Sequence, residues 1–251
     1  MRKKNQNKKV ALIAGATSSL AYAIANELGA EGWRLVLCGR DKEELVKLHS
    51  DVTIRHNIDA DVTIADFASQ DFNALKMLTA IEKKTGEINA LFMVVGEMGD
   101  TRFQEGPENI ERVIRVNYMT PAKLLTAMAE LMEQRRNGDI VVISSVAGDR
   151  GRKKNYVYGS SKAALTAFSS GLRNKYSGTG VHVMTVKPGF IDTRGTFAMN
   201  TPLMADRESV ARVVIKAMKA KKNVIYVPWF WRYIMIIINH IPEFIFKRLS
   251  I

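Results

Sequence analysis

Tyr158 and Lys162 stand four residues apart in "YGSSK". On a helix that spacing shares one face, which sets an ammonium near a phenol. A tyrosine ordinarily titrates near pH ~10, and a neighbouring cation favours its ionised form. The expectation is a Tyr158 pKa lowered by Lys162, giving a phenol that can protonate a carbonyl oxygen or deprotonate a hydroxyl near neutral pH. The spacing alone is a common surface accident, but here it has company. Ser145 ends the apolar run of "VVISS", where its hydroxyl can polarise the same carbonyl. Asn117 in "RVNYMTP" lies before that run and can extend a proton path from Lys162 to solvent. Each residue has a purely structural reading as well, yet their order along the chain argues against coincidence.

These residues need a scaffold that repeats strand and helix. Short β-branched runs at "VALIAGA", "WRLVLCG", "ADVTIAD", "NALFMVV", "DIVVISS", "VHVMTVK" and "NVIYV" alternate with longer helical patterns. Seven strands separated in this way predict a doubly wound Rossmann α/β fold, a mostly parallel seven-stranded sheet with helices on both faces. The first run leads into "AGATSSLAYAIANEL", a strand-to-helix turn that would meet the pyrophosphate of a dinucleotide at a helix N-terminus. Only Gly15 of the usual glycines is present, with Ser19 and Ala21 at the later places. An ordinary turn capped by Thr17 or Ser18 is therefore an open alternative. After the second run, Gly39 is followed by Arg40 where an acidic residue would hold the ribose diol of NAD(H). A cation there favours the 2′-phosphate of NADP(H), unless Arg40 merely begins an exposed helix. Pro188 and Gly189 close the sixth run in "KPGFIDT", and Thr193 just beyond is placed to fix a nicotinamide amide.

Composition limits the alternatives. A chain of 251 residues and 28.1 kDa suits one large α/β core. The lone Cys38, at the end of an apolar run, reads as a small buried hydrophobe in a reducing compartment. The net charge of +12 sits at the two ends. Residues 1–9 carry five cations and no acid, residues 211–251 carry eight cations against Glu243 alone, and residues 10–210 balance at 24 and 24. A neutral body argues against a nucleic-acid binder, which more often shows a basic stripe interleaved with aromatics.

Residues 10–228 thus form the expected domain, residues 1–9 a basic tail, and residues 229–251, "WFWRYIMIIINHIPEFIFKRLSI", an apolar and aromatic appendage. Ile234 to Ile238 is too short to span a bilayer, and Pro242 breaks the apolar stretch beyond it. Two short helices lying in an anionic membrane interface are expected. Packing against a second copy in a homo-oligomer is the competing reading. No signal-peptide core follows the basic start, so the expected location is cytoplasmic, peripheral on the membrane.

With the residues assembled, the sequence resembles the short-chain dehydrogenase/reductases over roughly residues 9 to 228. The resemblance implies an oxidoreductase with Tyr158 as general acid, Lys162 as its partner and ribose ligand, Ser145 as carbonyl stabiliser and Asn117 as relay. It implies Gly15, Thr17, Ser18, Ser19, Leu20, Arg40, Asp66, Gly96 and Thr193 around the cofactor, with Pro188 and Gly189, and Asp61 as the fallback for Asp66. No metal is implied. "MVVG", Met93 to Gly96, replaces the usual Asn-Asn-Ala-Gly, so the central strand must find other support. "MVVGEMGD", "AGDRGRKKNYVYGSSKA" and the tail are similar to a narrower branch that reduces the 2-keto group of a polyprenylphosphoryl pentofuranose, a ketone made by a separate flavin-dependent oxidase. That likeness gives Arg150, Arg152, Lys153 and Lys154 a role as substrate-phosphate ligands, against the alternative of a solvated basic loop. A reductase of another lipophilic ketone or aldehyde, steroid-, fatty- or quinone-like, and a non-catalytic NADP(H)-binding protein are the rival readings.

Overall fold

Period-2 burial organises the sheet. In the first strand, β1 (Val10–Ala14), Ala11 and Ile13 pack into one core while Val10, Leu12 and Ala14 pack into the other. Both faces are therefore covered, as the near-continuous apolar runs require. In the computed structural model, which describes residues 8–98, 106–192 and 201–249, six further strands join β1. They are β2 (Arg34–Gly39), β3 (Ala60–Ile64), β4 (Ile88–Met93), β5 (Gly138–Ile143), β6 (Val181–Pro188) and β7 (Val224–Val227). The order is β3-β2-β1-β4-β5-β6-β7 and every pairing is parallel. This is the doubly wound sheet expected from the sequence.

Three helices cover one face: α1 (Ser19–Ala30), α2 (Lys42–His56) and α7 (Arg207–Lys219). The other carries α3 (Ala74–Thr85), α5 (Thr120–Gln134) and α6 (Tyr156–Lys175), with α4 (Pro107–Ile114) leading through a π-helical turn, Arg115–Met119, into α5. Cys38 is buried and its thiol is pushed up to about 12 by desolvation, so it is an inert core residue. Because β1 runs to β2 on one side and to β4 on the other, the chain reverses its winding between β1 and β4. A crevice opens beyond the carboxyl ends of the strands at such a switch. After β7 the chain forms two short helices, α8 (Trp231–His240) and α9 (Glu243–Phe246). Among the described residues no helix is long and apolar enough to cross a membrane.

Candidate active site

The crevice at the β1/β4 switch is a cavity of 190 Å³ whose lining includes Gly15, Thr17, Ser18, Arg40, Asp66 and Gly96. Six residues expected around the cofactor thus converge there. Gly15 has φ +84, and a Cβ on it would lie 2.8 Å from the Val95 nitrogen, so glycine lets the first turn press against the exit of β4. Ser18 caps α1, accepting from the Ala21 N–H at 3.2 Å, while the N–H groups of Ser19 and Leu20 fall in the first turn, where a helix lacks internal partners. That turn suits a pyrophosphate. The Leu20 side chain is buried in the core, so its contribution is its backbone. Ser19 opens onto the neighbouring cavity beside Arg207.

Asp66 accepts from the Ala68 N–H at 2.9 Å and stands at the end of β3. Its fallback, Asp61, is tied to Arg34 at 2.8 Å and Lys84 at 2.7 Å and does not line the crevice. Arg40 reaches the crevice, but its guanidinium already lies 3.8 Å from Glu97, which is paired at 2.6 Å with Arg112 on α4. Glu97 has no place in the sequence expectation. Nothing local in "VGEMGD" signals that this acid meets cations from β2 and α4.

The support missing from "MVVG" comes from Asn117 in the π-helical turn. Its Oδ1 accepts from the Glu97 N–H at 2.8 Å, and its Nδ2 donates to the Glu97 carbonyl at 2.8 Å and to Ser161 Oγ at 3.0 Å. One fully buried amide thereby pins the turn after β4 to α6. Both ends of the side chain are spent, so any proton relay at Asn117 runs through its backbone.

Tyr158 opens α6 and Ser145 ends the segment after β5. Ser145 is close enough to Tyr158 to favour its ionised form, and its Oγ accepts from the Ala147 N–H at 3.1 Å. Two glycines bring the segments together. A Cβ on Gly159 would lie 2.8 Å from the Ala147 carbonyl oxygen, and one on Gly148 2.7 Å from the Ala163 nitrogen. A glycine inside a helix costs about 0.5–1 kcal/mol, and here that cost permits the close approach. Ser144, one residue earlier in the sequence, turns the other way and donates to the Lys162 carbonyl at 3.0 Å.

The Lys162 ammonium donates to the carbonyls of Ile143 at 3.1 Å and Val95 at 3.3 Å, and lies 5.7 Å from the centre of the Tyr158 ring. Burial pulls its pKa down to about 8. The expected lowering of Tyr158 by Lys162 is not met. Desolvation raises the phenol, with the Ser145 hydrogen bond as counterweight, because the ammonium is spent on the ends of β4 and β5. Tyr158 thus holds its proton at neutral pH, the form a general acid needs, but as a weaker acid than the expected lowering would give.

The loop between Ser145 and Tyr158 departs further from expectation. Arg150 donates to the carbonyls of Ile238 and Ile241, pairs with Glu243 at 2.9 Å and lies over the Phe246 ring at 3.6 Å. It clips the tail to the catalytic loop, a structural role in place of the phosphate contact expected from the sequence. Arg152 is half-buried, its NH2 group faces the Met235 sulfur at 3.3 Å, its buried Nε has no hydrogen-bond partner among the described residues, and desolvation lowers its pKa. Lys153 and Lys154 are exposed. Asp149 holds the start of the loop by accepting from Lys187 and from the Tyr226 hydroxyl at 2.9 Å.

The tail completes this side. Trp231 stacks edge-on against Phe190 at 5.3 Å and joins Val146 and Met235 in a small apolar cluster. Its indole fills the space a Gly189 side chain would need, with a Cβ there 1.9 Å from its nitrogen. The sequence marks Gly189 as a cofactor residue; the structure gives it a different necessity, room for Trp231. Thr193 lies outside the described residues.

The chain matches the family described as short chain dehydrogenase over residues 9–203. An uncharacterized oxidoreductase of Mycobacterium tuberculosis is 32% identical over 241 residues, 95% of this chain and 96% of that protein. One of Streptomyces coelicolor is 30% identical over 242 residues, 96% of this chain and 95% of its own length. Among solved structures, the bulky-bulky ketone specific alcohol dehydrogenase from Comamonas testosteroni superposes with a TM-score of 0.78 at 25% identity, covering 95% of this chain and 96% of that one. An actinorhodin polyketide ketoreductase variant with NADPH is alike in fold, with a TM-score of 0.80 at 23% identity over 90% of this chain and 97% of its own.

Proposed function

The chain belongs to the short-chain dehydrogenase family, nicotinamide-dependent oxidoreductases, and on that premise we propose that it is an NADPH-dependent reductase of a lipid-linked keto sugar. The substrate proposed is the 2-keto group of a polyprenylphosphoryl pentofuranose, from the resemblance to decaprenylphosphoryl-2-keto-ribose reductase, with a flavin-dependent oxidase supplying the ketone. The observation that carries the reading is Arg152, a half-buried guanidinium on the loop that joins Ser145 to Tyr158, set against Met235 of α8 and with a buried Nε that has no partner among the described residues. A desolvated cation beside a greasy wall suits a phosphodiester that joins a sugar to a prenyl chain.

The residues at the β1/β4 crevice fit a dinucleotide: Gly15 allows close approach, the first turn of α1 takes the pyrophosphate, and Arg40 takes a 2′-phosphate. NADPH bound there supplies the hydride. Ser145 and Tyr158 both donate to the carbonyl oxygen, and Tyr158 surrenders its proton as negative charge develops on that oxygen. Lys162, 5.7 Å from the ring centre and held on the Ile143 and Val95 carbonyls, is the cation beside the phenolate left behind, and Asn117 is the proposed relay for the replacement proton.

The decisive experiment is NADPH oxidation with a synthetic prenylphosphoryl 2-keto-pentose and with its phosphate-free analogue. Tyr158→Phe should abolish turnover of both. Arg152→Gln should raise KM for the phosphorylated ketone about tenfold and leave the neutral one unchanged. Equal use of both ketones with no effect of Arg152→Gln would give the site to another lipophilic ketone, the reading favoured by the apolar cluster of Phe190 and Trp231.

A further inference from the structure

α8 is apolar on two sides, and only one is used by the fold. Trp231 and Met235 face the catalytic loop and are buried. On the opposite side Trp229 is 72% exposed, Tyr233 59% and Ile237 67%, and on α9 Phe244 is 64% exposed. Trp229 and Tyr233 stand edge to face at 5.9 Å, so the aromatic pair is arranged without being covered. A shallow apolar groove runs between the two helices, lined by Ile236, Ile237, Ile241, Ile245 and Leu249.

Cations predominate around this face. Arg232, Lys247 and Arg248 are exposed beside it. Glu243, the tail's sole acid, is paired with Arg150. We propose that this outward face of α8 and α9 docks on an anionic lipid bilayer, with Ile236, Ile237, Phe244 and Ile245 entering the acyl boundary, Trp229 and Tyr233 at the headgroups, and Arg232, Lys247 and Arg248 meeting lipid phosphates. Aromatic rings and cations flanking an apolar strip match the layering of a bilayer surface. A second copy is the poorer fit, because a two-fold contact through this face would set its cations against one another.

The Arg150 clip gives the docking a consequence for the proposed reaction, and only this part rests on the lipid-linked reading. The Ser145–Tyr158 loop is fastened to the inner side of the same helix, so the docked enzyme holds its catalytic loop against the membrane from which a prenyl-linked sugar would come.

Sedimentation of the full chain with vesicles tests the docking without substrate, so its failure and that of the proposed reaction are distinguishable. Phosphatidylcholine vesicles containing phosphatidylglycerol should bring the protein down, pure phosphatidylcholine should not, and salt should weaken the association. Ile237→Glu with Phe244→Glu should reduce binding at least tenfold while leaving thermal unfolding unchanged, since both side chains are exposed. Binding equal on both vesicle types, undiminished binding of the double variant, or a dimer in light scattering that the double variant splits would each overturn the proposal; the last would give the face to a second copy.

Discussion

The two halves of the site are built by opposite means. At the β1/β4 switch the crevice proposed for the cofactor is framed by backbone: a left-handed glycine, the start of a helix and the turn after β4. On the other side, the wall near Ser145 is made of side chains recruited from afar, with Arg150 bonded to carbonyls 88 and 91 residues later and Trp231 lodged over Gly189. The first half is a property of the fold and the second a property of this chain. Nicotinamide chemistry can therefore stay fixed while the substrate side is rebuilt.

The sharpest way to break that division is Tyr158→Phe. Turnover should fall by about 10²–10⁴ while NADPH affinity, measured by fluorescence titration, stays within a few-fold. Loss of affinity as well would mean the halves are not separable. Arg150→Met comes next: losing charged hydrogen bonds to two carbonyls should cost about 2–3 kcal/mol, seen as a lower thermal midpoint and faster proteolysis after residue 228, with NADPH affinity intact. Gly159→Ala should lower kcat about tenfold, because a methyl group pressed on the Ala147 carbonyl displaces Ser145 from Tyr158.

On the cofactor side the effects are smaller. Arg40→Ser should weaken NADPH about tenfold and leave NADH unchanged, since the guanidinium is exposed and shared with Glu97. The pH profile links the halves. Lys162 holds its proton below about 8 and loses it above, so kcat/KM should fall on an alkaline limb centred there. Its folded pKa lies below the ordinary 10.5, so the unfolded chain binds more protons between the two values, and stability should rise across that window. An alkaline limb near 10 would show that Lys162 is not buried as described.

This contrast also marks what the sequence could tell. Strands are legible because burial on both faces writes a local apolar run, Tyr158 and Lys162 because their spacing is local to one helix, and Ser145 because it follows a strand end, whereas Asn117, in a separate helical turn, is marked only by its order along the chain. Spacing cannot say where the Lys162 ammonium points, so the direction it suggests for the Tyr158 shift is the wrong one. Arg150 looks like a substrate ligand because a basic loop carries no mark of a partner some ninety residues away. Glu97 and Trp231 are hidden for the same reason, and Gly189 stands out for a motif when its necessity is a neighbour's indole. Gly159 is the one available hint, a helix-weakening residue where nothing local demands it.

The slot at Gly189 has a consequence for how such an enzyme diversifies. Phe190 and Val146 are fixed by the ends of β6 and β5, but Trp231 and Met235 of the same cluster are supplied by a helix that follows the whole sheet. On the proposed reading, substrate range is partly written in residues 229–249. Exchanging residues 229–249 between relatives, with position 189 kept as glycine, should trade one ketone preference for another and leave the hydride donor untouched.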